Sequence, residues 1–172
     1  MSAALLVADS GPLIALARLQ RLDLPSKLFG TVWVTFTVWD EVTRQPRPAE
    51  GLALSAARRL GDILVVPDPL TTQDRVADTR FDVLAGARLD PGERSAIALA
   101  MTEQAAVLID ERRGRACALA LHLPTLGTLG LLVRARNAGL IDRLRPMTDA
   151  LQASGYFLGR LLVDRALAAT GE

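Results

Sequence analysis

Ala3-Ala4-Leu5-Leu6-Val7-Ala8-Asp9-Ser10-Gly11-Pro12 is the stretch that decides the fold. Six apolar residues run unbroken into an acid, a hydroxyl, a glycine and a proline. A membrane span needs about 20 apolar residues, so this shorter run reads instead as a strand buried on both faces, the kind found in parallel sheets. Asp9 falls where the strand stops and a helix starts, with Pro12 in the first turn. In open α/β sheets this carboxyl edge of the strands is where ligands bind.

The pattern recurs along the chain. Val32-Trp33-Val34, Ile63-Leu64-Val65-Val66 and Pro124-Thr125-Leu126 read as strands, and Ala106-Val107-Leu108-Ile109-Asp110 repeats the opening motif of an apolar run ending in an acid. Helical spacing separates them, over 12–22, 23–29, about 35–45, 49–60, 90–101, about 112–121 and 128–138. The polar stretch 68–89 reads as a mobile connection with one helix around 75–84. Two more helices follow, about 146–153 and 158–169; in the last, Leu158, Leu161, Leu162, Arg165 and Ala166 share a mostly apolar face. Strands alternating with helices predict an α/β fold with a parallel sheet of four or five strands.

Composition narrows the function classes. The chain has 172 residues, half of them hydrophobic, and a net charge of +1, which fits one domain with a sizeable core. A single cysteine, Cys117, excludes an internal disulfide framework; with no visible leader or membrane span, the expectation is a soluble cytoplasmic protein. Lys27 is the only lysine, which removes both a phosphate-binding P-loop and a phospho-acceptor receiver site that needs a late lysine. No G-x-G-x-x-G follows the first strand, so dinucleotide binding is disfavoured. Zinc would want His or Cys clusters, whereas His122 and Cys117 stand as lone residues and read as packing.

The acids remain. Asp9 and Asp110 end strands, Glu41 lies within a helix and Glu93 at a helix start. Each has an ordinary explanation. Asp9 and Asp110 can cap the helices that follow them; Asp90-x-x-Glu93 has the form of a capping box; Glu41 can be a solvated acid whose role Asp40 could equally take. Read together, Asp9 and Asp110 fall at one sheet edge. Like charges brought close raise one another's pKa unless a cation neutralises them, and Mg²⁺ or Mn²⁺ is the oxygen-loving choice. Such a cation polarises a phosphodiester oxygen and helps ionise the attacking water.

Several of these stretches, taken in order, resemble the PIN-domain family, and more narrowly its VapC-like toxins with extra C-terminal helices. They are Val7-Ala8-Asp9-Ser10-Gly11-Pro12-Leu13-Ile14, Val38-Trp39-Asp40-Glu41-Val42, residues 89–100 around Asp90-Pro91-Gly92-Glu93, Leu108-Ile109-Asp110-Glu111-Arg112-Arg113-Gly114, and Pro124-Thr125-Leu126-Gly127-Thr128-Leu129-Gly130. The resemblance implies a three-layer α/β/α sandwich over 1–140 with a helical extension over 141–172 packed on the same domain or on a dimer partner. It implies an Mg²⁺- or Mn²⁺-dependent ribonuclease with Asp9, Glu41, Glu93 and Asp110 as catalytic acids, and Asp9, Glu93 and Asp110 as metal ligands. Ser10 would support the site, and Glu111 would be an additional or substitute ligand. Glu93 departs from the pattern, since many PIN nucleases carry Asp there. Arg112, Arg113 and Arg115 are candidates for RNA phosphate contacts, or simply a solvated helix face. The implied partners are RNA, a small antitoxin and a second copy of the chain. A non-catalytic PIN-fold module and a DNA nuclease are the alternatives; the first would have lost acids, and the second would carry long clamp insertions.

Overall fold

The computed structural model describes residues 5–69, 83–84 and 86–172. Five parallel strands form one sheet: β1 (Leu6–Ala8), β2 (Val32–Thr35), β3 (Ile63–Val66), β4 (Ala106–Leu108) and β5 (Thr125–Leu126). Their order is β3-β2-β1-β4-β5. Nine helices among the described residues surround it: α1 (Ser10–Arg18), α2 (Asp23–Phe29), α3 (Phe36–Arg44), α4 (Pro48–Leu60), α5 (Pro91–Glu103), α6 (Arg112–Ala120), α7 (Thr128–Asn137), α8 (Arg145–Ala153) and α9 (Arg160–Thr170). The parallel sheet is the one that the apolar runs predict, and the α/β/α sandwich is the one that the resemblance implies.

β1 is the central strand. Leu6 lies opposite both Val32 and Ala106, and Ala8 opposite Leu108. Leu6, Val7 and Ala8 are fully buried, which is why the strand reads as a continuous apolar run rather than an alternating one. From β1 the chain steps outward through β2 to β3, then returns to the other side of β1 for β4 and β5. The strand order therefore reverses between β1 and β4, and such a switch point opens a crevice at the carboxyl edge. Asp9 and Asp110 sit on its two sides.

Local chemistry places the helices around that edge. Thr35 Oγ1 accepts from the Val38 N–H (3.2 Å) and starts α3 directly after β2. α5 is buried on most of its faces, with Ala96, Ile97, Ala98, Leu99 and Ala100 in the core, and it packs on β1, β2 and β4 and against α3 and α6. Its apolar character all round follows from that central seat. Gly61, with φ +83°, closes α4 in the left-handed region, which glycine enters without a Cβ clash.

The structure departs from the sequence reading at two points. The apolar face expected on the last helix is displaced: Val163, Ala166 and Leu167 are buried, whereas Leu161, Leu162 and Arg165 are exposed. α9 packs on α7, and that neighbour selects a stripe one step round from the expected one. Cys117 packs in the core, but His122 does not; it is exposed, with φ +59°, where α6 ends. The expected connection at 68–89 and its helix lie mostly outside the described residues. No helix among the described residues is long and apolar enough to cross a membrane.

Candidate functional site

Asp9 occupies the N-cap position of α1, yet its side chain makes no capping hydrogen bond. Its backbone N–H instead donates to Leu108 O (3.0 Å), continuing the β1–β4 ladder. The carboxylate is therefore left to the crevice. It is only 4% exposed, and its Oδ1 has no hydrogen-bond partner among the described residues. Burial raises its pKa from 3.8 to about 7; the Ser10 N–H opposes this, while the charges of Asp90, Glu93 and Glu41 add to it.

Glu93 comes in from α5. The capping box is real: Asp90 Oδ1 accepts from Glu93 N–H (2.7 Å), and Glu93 Oε2 accepts from Asp90 N–H (3.1 Å). The box uses only one carboxylate oxygen. Oε1 is buried without a partner and lies 3.0 Å from the position that a Cβ on Gly114 would take. Burial pushes the Glu93 pKa up, with Asp90, Glu111 and Glu41 adding to it. Capping and site membership, which compete in the sequence, coexist on separate oxygens of one side chain.

Glu41 reaches the same region from α3. Its pKa is raised by burial and by Asp90, against the lowering effect of hydrogen bonds from the Gly92 N–H and the Ser10 hydroxyl. Ser10 therefore supports Glu41. A Cβ on Gly92 would stand 2.2 Å from Glu41 Oε2, so the helix start admits this carboxylate only because residue 92 has no side chain. Asp40 is exposed and paired with Arg44. Of the two acids, Glu41 is the one whose pKa burial and the Asp90 charge raise.

Asp110 forms a second, linked group. Its Oδ1 accepts from the Thr128 N–H (2.8 Å), and its Oδ2 from both the Thr128 hydroxyl and the Tyr156 hydroxyl. The strongest like charges on Asp9 come from α3 and from the start of α5, not from Asp110 as the strand pattern leads one to expect. Tyr156 bonds the Asp110 group and lies toward the Asp9 one. Its hydroxyl lies 3.9 Å from the position of a Cβ on Gly11, and Asp9 Oδ2 lies 3.9 Å from that same position. Burial and the Asp110 charge raise the Tyr156 pKa well above its usual value. At Gly127 a Cβ would meet Arg115 Nη1 at 2.6 Å and Asp110 Oδ1 at 2.9 Å, so the guanidinium lies over the glycine beside this acid.

Glu111 is exposed and caps α6 by accepting from the Arg113 N–H at 3.4 Å. Arg112 and Arg113 are exposed at the start of that helix. Thr128, Tyr156, Asp90 and the glycines 92, 114 and 127 belong to the site but carry no assignment from the sequence reading. Tyr156 had one signal, as the only tyrosine in the chain; the glycines had none that separates them from turn residues.

Among the described residues, no three Asp, Glu, His or Cys side chains already converge on a point that would hold a cation. The donor set nevertheless suits a hard divalent ion. It offers only oxygens, two of its buried carboxylate oxygens are orphaned, and buried carboxylates of this kind call for a neutralising partner. Asp9 and Glu93 would hold such an ion through those free oxygens, with Asp110 opposite. Against known proteins, a family model described as PIN domain matches residues 5–172. No curated protein matches the chain.

Proposed function

The chain belongs to the PIN domain family, whose members are generally nucleases, and we propose that it is a metal-dependent ribonuclease, the toxin of a type II toxin–antitoxin pair. The observation that carries the nuclease reading is a pair of buried carboxylate oxygens, Asp9 Oδ1 at the switch point and Glu93 Oε1, without hydrogen-bond partners among the described residues, whose charges repel one another. An unneutralised acid pair costs stability in the free protein, and its use is to bind a cation that a phosphodiester also needs. When bound, Mg²⁺ or Mn²⁺ supplies the Lewis acidity that polarises the phosphoryl oxygen and the attacking water.

The chain's own residues do the rest. Asp9, Glu93 and Asp110 provide the negative oxygens. Glu41, oriented by the Ser10 hydroxyl and the Gly92 N–H, is placed to accept a proton from water, and its raised pKa suits a general base. Arg112, Arg113 and Arg115 flank the Asp110 side, where they would neutralise RNA phosphates. Glu111 caps α6 through Oε1 alone, and its other oxygen keeps the additional or substitute ligand role. A homodimer and a small antitoxin complete the reading, and the exposed Phe157, Leu161 and Leu162 offer an apolar surface for one of them.

The test is cleavage of RNA with Mg²⁺ or Mn²⁺ by wild type, Asp9→Asn and Asp110→Asn. Loss of metal-dependent cleavage in both variants is expected. Activity surviving both substitutions would sink the assigned site, and cleavage of DNA in preference to RNA would redirect the substrate.

A further inference from the structure

Tyr156 lies in the short connection between α8 and α9, 46 residues beyond the acid it touches. Its backbone is pinned there. The Tyr156 N–H donates to Leu151 O (3.0 Å), and the Gly155 N–H to Gln152 O (3.0 Å), with Gly155 at φ +83° turning the chain back off α8. The ring packs half-buried against the core, which delivers its hydroxyl to Asp110 Oδ2. Phe157, the next residue, is 90% exposed, so the connection presents one aromatic to the site and one to solvent.

The hydrogen-bond inventory at Asp110 gives this contact a consequence. A carboxylate oxygen has two lone-pair positions. Oδ2 fills both, one with the Thr128 hydroxyl and one with the Tyr156 hydroxyl. Oδ1 fills one, with the Thr128 N–H. Among the described residues Oδ1 has no second hydrogen-bond donor, with the Arg115 guanidinium nearby over Gly127, and three donors from two separate parts of the chain fix the plane of the group.

We propose that Tyr156 is a positioning residue: by donating to Asp110 Oδ2 it fixes the orientation of a carboxylate that the metal-dependent reading assigns as a ligand, which makes the C-terminal extension part of the metal site. The inference rests on the metal-dependent reading above. Donors behind a ligating carboxylate commonly set metal affinity within about a 10- to 100-fold range.

The test is calorimetric titration of the metal-free full chain with Mn²⁺, comparing wild type, Tyr156→Phe, Asp110→Asn and the double variant. Tyr156→Phe keeps the ring and removes only the hydroxyl, so its melting temperature in EDTA should stay close to wild type. Its Mn²⁺ affinity should fall by about tenfold or more; a smaller fall overturns the proposal. Because Tyr156 acts through Asp110, adding Tyr156→Phe to Asp110→Asn should leave affinity where Asp110→Asn put it; a further independent loss also overturns it. Should Tyr156→Phe prove unstable, Tyr156→Met is titrated below its melting temperature, with the same tenfold fall expected and an affinity equal to wild type again overturning the proposal. A wild type that binds no Mn²⁺ refutes the metal-dependent reading itself, whereas normal wild-type binding with an unaffected Tyr156→Phe refutes only the role of the tyrosine.

Discussion

Replacing Asp9 by Asn should make the metal-free protein more stable, most of all at neutral to alkaline pH. The carboxyl's pKa is 3.8 in the unfolded chain and about 7 in the fold, chiefly through burial. Between those values the unfolded chain releases the proton while the fold keeps it, so stability falls as pH rises; above about 7 the fold carries the full penalty. At about 1.4 kcal/mol per pH unit between the two values, the ionised group opposes folding by about 4 kcal/mol at pH 8 and by less than half of that at pH 5. Asparagine does not titrate. The stability gap between Asp9→Asn and wild type should therefore widen by about 3 kcal/mol from pH 5 to pH 8. In a domain of this size that is on the order of 10 °C in melting temperature. Thermal unfolding in EDTA at the two pH values measures it directly. A gap of equal size at both values, or no gain at pH 8, would refute the claim that Asp9 is a desolvated, unneutralised acid. With saturating Mn²⁺ at pH 8 the gap should close again, because a ligand at a hundred times its Kd stabilises the fold by about 2.7 kcal/mol.

Gly92→Ala should leave folding intact or slightly improved, since alanine is the better helix former by up to about 1 kcal/mol. Its Cβ would nevertheless displace Glu41, so RNA cleavage should drop by roughly tenfold to a hundredfold, and undiminished cleavage would argue against a role for Glu41. Asp90→Ala should lose the α5 cap and about 1 kcal/mol at pH 5. The loss should shrink at pH 8, where removing that charge relieves Asp9, Glu41 and Glu93; Asp90→Asn, which can still cap, should show the relief without the loss. Arg112→Ala with Arg113→Ala should weaken RNA binding and reduce its log–log salt slope by about 1.4, the single-strand value for two phosphates. An unchanged slope in filter binding would mark the pair as a solvated helix face.

The strand-and-acid pattern was legible because its determinants are local. An unbroken apolar run reports burial on both faces, and the acid behind it reports the sheet edge, so Asp9 and Asp110 could be read without coordinates. Whether Asp9 caps its helix could not, because that depends on a side-chain torsion; the structure leaves its carboxylate out of the cap. Glu93 posed a choice between cap and site that exists only if a carboxylate is treated as one group. Thr128 and Tyr156 stayed hidden for a different reason. They meet Asp110 across 18 and 46 residues, and nothing periodic in the chain encodes that meeting. The last helix misled because two of its stripes fit a helical period, and α7, rather than the helix itself, decides which is covered.

The shared carboxylate of Glu93 has a consequence for how this chain can change. One oxygen holds the start of α5 while the other is left to the site. A screen for protein abundance and a screen for activity would therefore both mark position 93 as intolerant, for unrelated reasons, and neither alone would reveal the second. Glutamine separates them: its carbonyl can still accept the Asp90 N–H, but it brings no charge. A chain with Gln at 93 should accumulate normally and fail chemically, which makes it a folded decoy for any partner that recognises the nuclease by shape.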